Sequence, residues 1–348
     1  MSAGPPAPPT TVNENSAVYY SGQYWNELPQ VVAYMSEAFT GDPTKWWVDD
    51  FKERFCPEPL RRGLVLNCGN GWVERELVDK KILGAVTAFD YSWDLLGKAA
   101  RDRGARAIHY VRADANTVAL APDCLDAVFN VAALHHVQYL DRLCRMLCEA
   151  LKPSGVLVSF DYIGPHRNQY SRRHWRRVVR VNRRLPPAVR KRPLRRPHLP
   201  TMLRTDPTEA IHSELILPVV TRYFDVFERH DTGGGIAYEL LTHNPGVHAL
   251  GPEAADLYIR EVLAWDRHHT ARREVPPLFS YFLARPRKTV LHDAMRLRAF
   301  RDEEDRREAR ARGRGGVYSF ADGLSMLRHR LKLRLRRAVL GRCLGRRG

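Results

Sequence analysis

No run of about eighteen apolar residues occurs anywhere in the 348-residue sequence, which argues against a membrane-spanning helix. The opening residues, Met1-Ser2-Ala3-Gly4-Pro5-Pro6, lack both the basic flank and the apolar centre of a secretory signal. Cysteine is sparse: there are six, with no CxxC pair and no metal-ligand spacing, so neither a disulfide-stapled domain nor a zinc module is expected. Cys144 and Cys148 fall four apart on an apolar-periodic segment, where they read as small buried side chains. A reducing cytoplasm fits this usage, and no metal site is expected. Lysine is scarce too, at nine of 56 basic residues. A GC-rich coding sequence produces such an arginine bias without any role in phosphate recognition.

Acidic residues are missing from two stretches. Residues 162–204 carry fourteen Arg or Lys and no acid, and residues 324–348 carry nine and no acid. Against a net charge of +17, the rest of the chain is therefore mildly acidic. With 44% apolar and 27% charged residues, that remainder has the composition of a packed globular protein with about two domains' worth of chain.

Residues 1–16 are rich in Pro, Ala and Thr and are expected to be unstructured. Residues 17–59 read as a helical cap: an aromatic, helix-periodic run through Tyr24, Trp25, Met35 and Phe39, a break at Gly41-Asp42-Pro43, and a second run from Trp46 to Phe55. From Leu64 strands and helices alternate. Strands are expected at Leu64–Leu66, Ala85–Phe89, Ala107–Val111, Leu125–Val131 and Gly155–Phe160, the last following a Lys152-Pro153-Ser154-Gly155 turn. Helices are expected through Val78, over Trp93–Ala100 and over Asp141–Leu151, which together make a parallel α/β sheet. Further strands at Tyr223–Arg229 and Leu278–Ala284, and helices at 207–221 and 252–270, complete the body to residue 287. A basic helical extension is expected over 288–348.

Ligands of open parallel sheets bind at the carboxyl ends of the strands. There the sequence places Asn67-Cys68-Gly69-Asn70-Gly71, whose glycines let backbone approach a ligand at a helix N-terminus. Asp90 closes the second strand, where an acid accepts hydrogen bonds from a ribose diol. A dinucleotide fingerprint wants glycine at 74, and Glu74 stands there, so a nucleoside without pyrophosphate fits better.

Five motifs in order carry a resemblance: Gly69-Asn70-Gly71, Phe89-Asp90-Tyr91-Ser92, Arg112-Ala113-Asp114, Asp126-Ala127-Val128-Phe129 leading to Ala133-Leu134-His135-His136-Val137, and Leu151-Lys152-Pro153-Ser154-Gly155. Residues 60–161 resemble the class I S-adenosylmethionine-dependent methyltransferases. Asp161-Tyr162-Ile163-Gly164-Pro165 and Phe279–Ala284 are similar to bacterial members of the type 11/12 group. The resemblance implies a Rossmann-like seven-stranded sheet over 60–287, with the last strand antiparallel beside the fifth. It implies S-adenosylmethionine as cofactor, with Asn67, Cys68, Gly69, Asn70 and Gly71 against its methionine part. Asp90 and Tyr91 would lie at the ribose, Asp114 and Ala115 at the adenine, and Asn130 and Val131 at the sulfonium. Asn67 replaces the family's usual glycine, and asparagine tolerates the left-handed conformation best among other residues. Val65 replaces a frequent acid.

Methyl transfer needs an aligned and deprotonated acceptor. His136, Asp161, Tyr162 and His166 fall on the acceptor side, along with His135 and Arg167; His135 and His136 equally suit a structural role in starting a helix, and the Asp231–Gly235 loop is either part of that pocket or a plain glycine turn. Residues 162–204 stand where the family carries a substrate-covering insertion. The arginines there suit an anionic acceptor or a solvated face. Leu324, Leu327, Leu331, Leu335 and Val339 form an apolar stripe among basic residues, as on a helix lying against an anionic membrane or an acidic partner, a helix packed on the domain itself, or a disordered tail. The expected activity is methyl transfer to a hydroxyl or amine of a small-molecule, saccharide or lipid-linked acceptor, in the cytoplasm or peripheral to the membrane. The alternatives are an RNA methyltransferase and a non-catalytic scaffold recruited to a membrane.

Overall fold

The aromatic run after Gln23 forms two helices, α1 (Pro29–Thr40) and α2 (Trp47–Phe55), in the computed structural model, which describes residues 23–313. Pro29 sits in the first turn of α1, where its missing N–H costs nothing. Gly41 ends that helix at φ 80°, its N–H donating to the Glu37 carbonyl. The expected unstructured N-terminus and the basic segment Leu324–Leu340 lie outside the described residues.

Seven strands form one sheet: β1 (Leu60–Val65), β2 (Leu83–Asp90), β3 (Ile108–Arg112), β4 (Leu125–Val131), β5 (Leu151–Tyr162), β6 (Phe224–Thr232) and β7 (Phe279–Pro286). Their order is β3-β2-β1-β4-β5-β7-β6. The first five are parallel, and β7 runs antiparallel between β5 and β6, with Tyr162 opposite Phe279 and Thr232 opposite the same residue. This is the expected Rossmann-like methyltransferase sheet. The order reverses between β1 and β4, so a crevice opens where their carboxyl ends diverge.

Helices α3 (Trp72–Asp79), α4 (Trp93–Asp102) and α5 (Leu140–Ala150) connect the parallel strands. Phe39 packs on Phe160 (5.2 Å between ring centroids) and Phe51 on Phe129 (5.7 Å), so the N-terminal helices cover one face of the sheet centre. On the other face, α5 and α8 (Ile216–Tyr223) bury Leu143, Leu147, Val219 and Tyr223 against Val128, Leu157 and Phe282. Between β5 and α8 lie α6 (Arg172–Arg184) and α7 (Leu199–Thr205). After β6 come α9 (Ala237–Leu241) and α10 (Pro252–Ala271).

Two expectations about local structure are corrected. Lys152–Gly155 is no turn: β5 begins at Leu151, paired with Leu125, and a register irregularity between Leu125 and Ala127 absorbs the extra residues. The helix expected over 207–221 starts only at Ile216, because residues 206–212 fold into a loop closed on the Asp206 carboxylate. Beyond Arg287 the chain stays against the sheet's second layer. Val290 is buried, and α11 (Ala294–Gly313) sends Glu303 to Arg222 (2.6 Å) and Phe300 onto Tyr223.

Candidate active site

The turn after β1 is left-handed at three positions: Asn67 (φ 42°), Gly69 (φ 57°) and Gly71 (φ 80°). Asparagine thus takes the conformation expected of it. A side chain at Gly71 would place Cβ 2.4 Å from the Tyr110 hydroxyl and 2.8 Å from Ala99 Cβ, so this position needs glycine for both dihedral and space. The turn is tied down by Cys68 N–H donating to Phe89 O (2.9 Å) and Gly71 N–H to Cys68 O (3.0 Å).

Asp90, nearly buried at the end of β2, organises the cradle. Its Oδ2 accepts from Gly69 N–H at 2.9 Å and its Oδ1 from Ser92 N–H at 2.8 Å. Burial raises its pKa, opposed by those two N–H groups. A carboxylate has about four lone-pair sites, so both oxygens keep capacity for a diol. Ser92 then caps α4 by accepting from Leu95 N–H (3.4 Å). Asp114, past β3, accepts through Oδ1 from Asn116 N–H and Nδ2 (2.8 and 2.9 Å), with Ala115 buried beside it. Tyr91 lies under the Arg112 guanidinium, 5.1 Å from its ring centroid.

Beneath the turn, Glu74 on α3 is fully buried, with Tyr110 and Cys68 the polar groups beside its carboxylate. Burial lifts its pKa to about 7.

At the ends of β4 and β5, Asp161 holds a buried network. Its Oδ2 accepts from Asn130 Nδ2 (2.8 Å) and Leu134 N–H (2.8 Å), and its Oδ1 from Tyr162 N–H (2.7 Å) and His135 Nδ1 (2.6 Å). Asn130 also donates to Ser159 Oγ and accepts from Leu134 N–H. These bonds fix the single 3-10 turn Leu134–His136 that follows β4, and Val131 ends the strand just before it. Burial alone would lower the pKa of His135, but the charge and hydrogen bond of Asp161 prevail and lift it to about 9. Asp161 in turn is held down by His135 against its own burial.

The neighbouring His136 differs. Thr208 Oγ1 donates to Asp206 Oδ1 (2.7 Å), so its one hydroxyl proton is spent and it accepts from His136 Nδ1–H (3.1 Å). Burial, reinforced by His135 beside it, lowers the pKa of His136. Asn67 Nδ2 donates to Ala133 O (3.4 Å), so the cradle and the histidine turn adjoin. Glu209 faces both imidazoles, with Oε2 at 3.8 Å from His135 Nε2 and 3.9 Å from His136 Nε2.

Asp161, His135 and His136 are thus brought together. Tyr162 is buried with its ring 6.3 Å from that of His135 and no hydrogen-bond partner for its hydroxyl among the described residues. His166 bonds the Ile211 carbonyl and stacks on His212, on the far side of the 206–212 loop, and burial lowers its pKa. Arg167, at φ 53°, turns back to the Pro207 carbonyl. The Asp231–Gly235 loop closes on Asp266, which accepts from Gly234, Ile236 and Ala237 N–H at 2.7, 2.6 and 3.0 Å. Glu209 and Thr208 were not singled out by sequence reasoning. The only signal was the turn-forming Asp206-Pro207-Thr208 beside an acid-free stretch.

Residues 64–159 match the family described as methyltransferase domain. Over 130 residues the chain is 32% identical to the malonyl-[acyl-carrier protein] O-methyltransferase of Enterobacter lignolyticus (strain SCF1), a match covering 37% of this chain and 50% of that protein. The chain therefore spans about half the length of that relative. Among solved structures it is similar to an S-adenosylmethionine-dependent methyltransferase from Mesorhizobium loti (21% identity, 66% of this chain and 91% of that one, TM-score 0.40). It is also similar to Haemonchus contortus phosphoethanolamine N-methyltransferase 2 in complex with S-adenosyl-L-methionine (16% identity, 80% and 60%, TM-score 0.46).

Proposed function

Because residues 64–159 form a class I, S-adenosylmethionine-dependent methyltransferase domain, we propose that the protein methylates a hydroxyl or amine of a small-molecule or saccharide-like acceptor. The observation that carries this reading is the left-handed Asn67–Gly71 turn bound through Gly69 N–H to Asp90 at the strand-order reversal. When bound, the cofactor supplies an electrophilic methyl on a sulfonium.

The chain's own residues fit such a ligand. The turn backbone would lie against the methionine part, while the space a Cβ at Gly71 would take is filled from within by Tyr110 and Ala99. Asp90 offers lone pairs to the ribose hydroxyls, with Tyr91 following it. Asp114 offers a carboxylate to the adenine amino group while Ala115 packs beside the ring. Asn130 does not reach out, since its amide is consumed by Ser159, Asp161 and Leu134; it sets the turn that carries the histidines. Asp161 is likewise a positioning residue, with four hydrogen bonds and no exposure. The acceptor loses its proton beside the cluster of His135, His136 and Glu209 next to the cradle.

One observation favours an RNA acceptor as a second reading: Arg172, Arg173, Arg176, Arg180, Arg183 and Arg184 of α6 are all exposed. Incubating the protein with methyl-labelled S-adenosylmethionine and a cell extract separates the two. Label in a small-molecule or saccharide fraction supports the first reading, label in RNA replaces it with the second, and label in neither defeats both.

A further inference from the structure

His135, His136 and Glu209 bring one donor atom each within 4.8 Å of one another at the carboxyl ends of β4 and β5. We propose that they hold a divalent transition-metal ion of the zinc type, through both Nε2 atoms and the Glu209 carboxylate, and that this ion takes a hydroxyl oxygen of the acceptor as a further ligand.

The tautomers are set from outside the cluster. Asp161 only accepts at His135 Nδ1, and the spent hydroxyl of Thr208 only accepts at His136 Nδ1, so both histidines carry Nδ1–H and turn Nε2 toward Glu209. A metal-ligating histidine characteristically donates its other N–H to a carboxylate or similar acceptor, which fixes ring and tautomer. Here both histidines do so.

The separations suit an ion better than direct bonds. At 3.8 and 3.9 Å, Glu209 Oε2 is too far from either Nε2 for a hydrogen bond. Two ligands bonded at about 2.0–2.2 Å to one ion stand between about 3.3 Å apart (tetrahedral) and about 4.2 Å (opposite). Both Glu209–imidazole separations fall inside that range, and all three donor atoms lie within 4.8 Å of one another. The support is rigid: Asp206 Oδ1 accepts from Thr208 N–H (2.8 Å), Thr208 Oγ1 (2.7 Å) and Glu209 N–H (3.1 Å), and Ile211 N–H returns to the His135 carbonyl (3.0 Å). Two imidazoles and one carboxylate match zinc-type ions rather than magnesium or calcium, which take oxygen ligands. Three protein ligands leave a coordination position open, as catalytic zinc sites do.

The role of the ion rests on the methyltransferase reading; the site itself does not. An oxygen bound to the ion is acidified, so its O–H bond breaks near neutral pH, the oxygen keeps the electron pair and the proton leaves to solvent. The acceptor class thereby narrows from hydroxyl or amine to hydroxyl.

The test uses the full chain without an affinity tag, stripped of metal by chelator and titrated with Zn²⁺ against a competing dye, with no S-adenosylmethionine present. One equivalent should bind with micromolar or tighter affinity. Glu209→Gln and His136→Ala should each weaken binding at least about 30-fold, and Asp161→Asn about 10–100-fold through the lost outer hydrogen bond. Circular dichroism confirms that each variant folds. Should His136→Ala not fold, Glu209→Gln decides alone, because that side chain is 21% exposed and outside the core. Substoichiometric Zn²⁺, or affinity undiminished in Glu209→Gln, overturns the proposal. Binding of the ion but not of S-adenosylmethionine overturns the proposed function and leaves the site standing; the opposite pattern overturns the site alone.

Discussion

Glu74 lies under the Asn67–Gly71 turn with its carboxylate fully buried, and the polar groups beside it are Tyr110 and Cys68. Desolvation raises its pKa from 4.5 to about 7. In the unfolded chain it titrates near 4.5, so between these values the folded state binds more protons than the unfolded one. Stability therefore falls as pH rises through this window. The benefit of the neutral acid is fully present below pH 4.5 and lost above 7. A shift of this size corresponds to about 3 kcal/mol, at about 1.4 kcal/mol per pKa unit. Glu74→Gln keeps the shape and cannot ionise. The stability difference between variant and wild type should then move in the variant's favour by about 3 kcal/mol from pH 4.5 to pH 8. Urea unfolding at a series of pH values reads this directly, and in thermal scans it should appear as a relative gain of about 4 °C in melting temperature. A difference that stays constant across the range would refute a buried, destabilised carboxylate at this position.

Three further outcomes follow from particular contacts. Gly71→Ala meets both a φ of 80° and the Tyr110 hydroxyl and Ala99 methyl, and should cost about 2–3 kcal/mol of stability in denaturant unfolding. Asp266→Ala strands three buried N–H groups and the Tyr34 hydroxyl and should cost at least about 3 kcal/mol, a loss that Asp266→Asn recovers only in part. If the exposed arginines of α6 engage phosphates, affinity for single-stranded RNA should drop at least about 10-fold between 50 and 200 mM salt in fluorescence anisotropy, and replacing Arg172, Arg173, Arg176 and Arg180 by Gln should flatten that slope.

The sheet was legible because its strands are short buried runs separated by amphipathic helices, and β4 begins and ends at the expected residues Leu125 and Val131. The cradle was legible for a similar reason: a left-handed turn after a first strand demands Gly, or Asn at most, and the chain has Asn67, Gly69 and Gly71. The acceptor side was only half legible. His135 and His136 follow β4 directly, but Glu209 comes from a distant segment whose Asp206-Pro207-x-x opening imitates a helix start. Asp206 does cap the N–H groups of Thr208 and Glu209, yet Ala210 turns to φ 49° and the helix fails to propagate. Likewise Lys152-Pro153-Ser154-Gly155 has turn chemistry, and it lies inside β5 as the register irregularity between the Leu151–Leu125 and Val156–Ala127 pairs.

Equilibrium binding of S-adenosylmethionine to wild type and Asp90→Ala addresses the account most directly. The wild type should bind one equivalent, and Asp90→Ala, still folded, should lose at least about 100-fold in affinity, the worth of two hydrogen bonds to a charged acceptor. A folded wild-type protein that binds nothing at millimolar cofactor, or a variant that binds as tightly as the wild type, would contradict the assignment of the Asn67–Gly71 turn and Asp90 as the cofactor site.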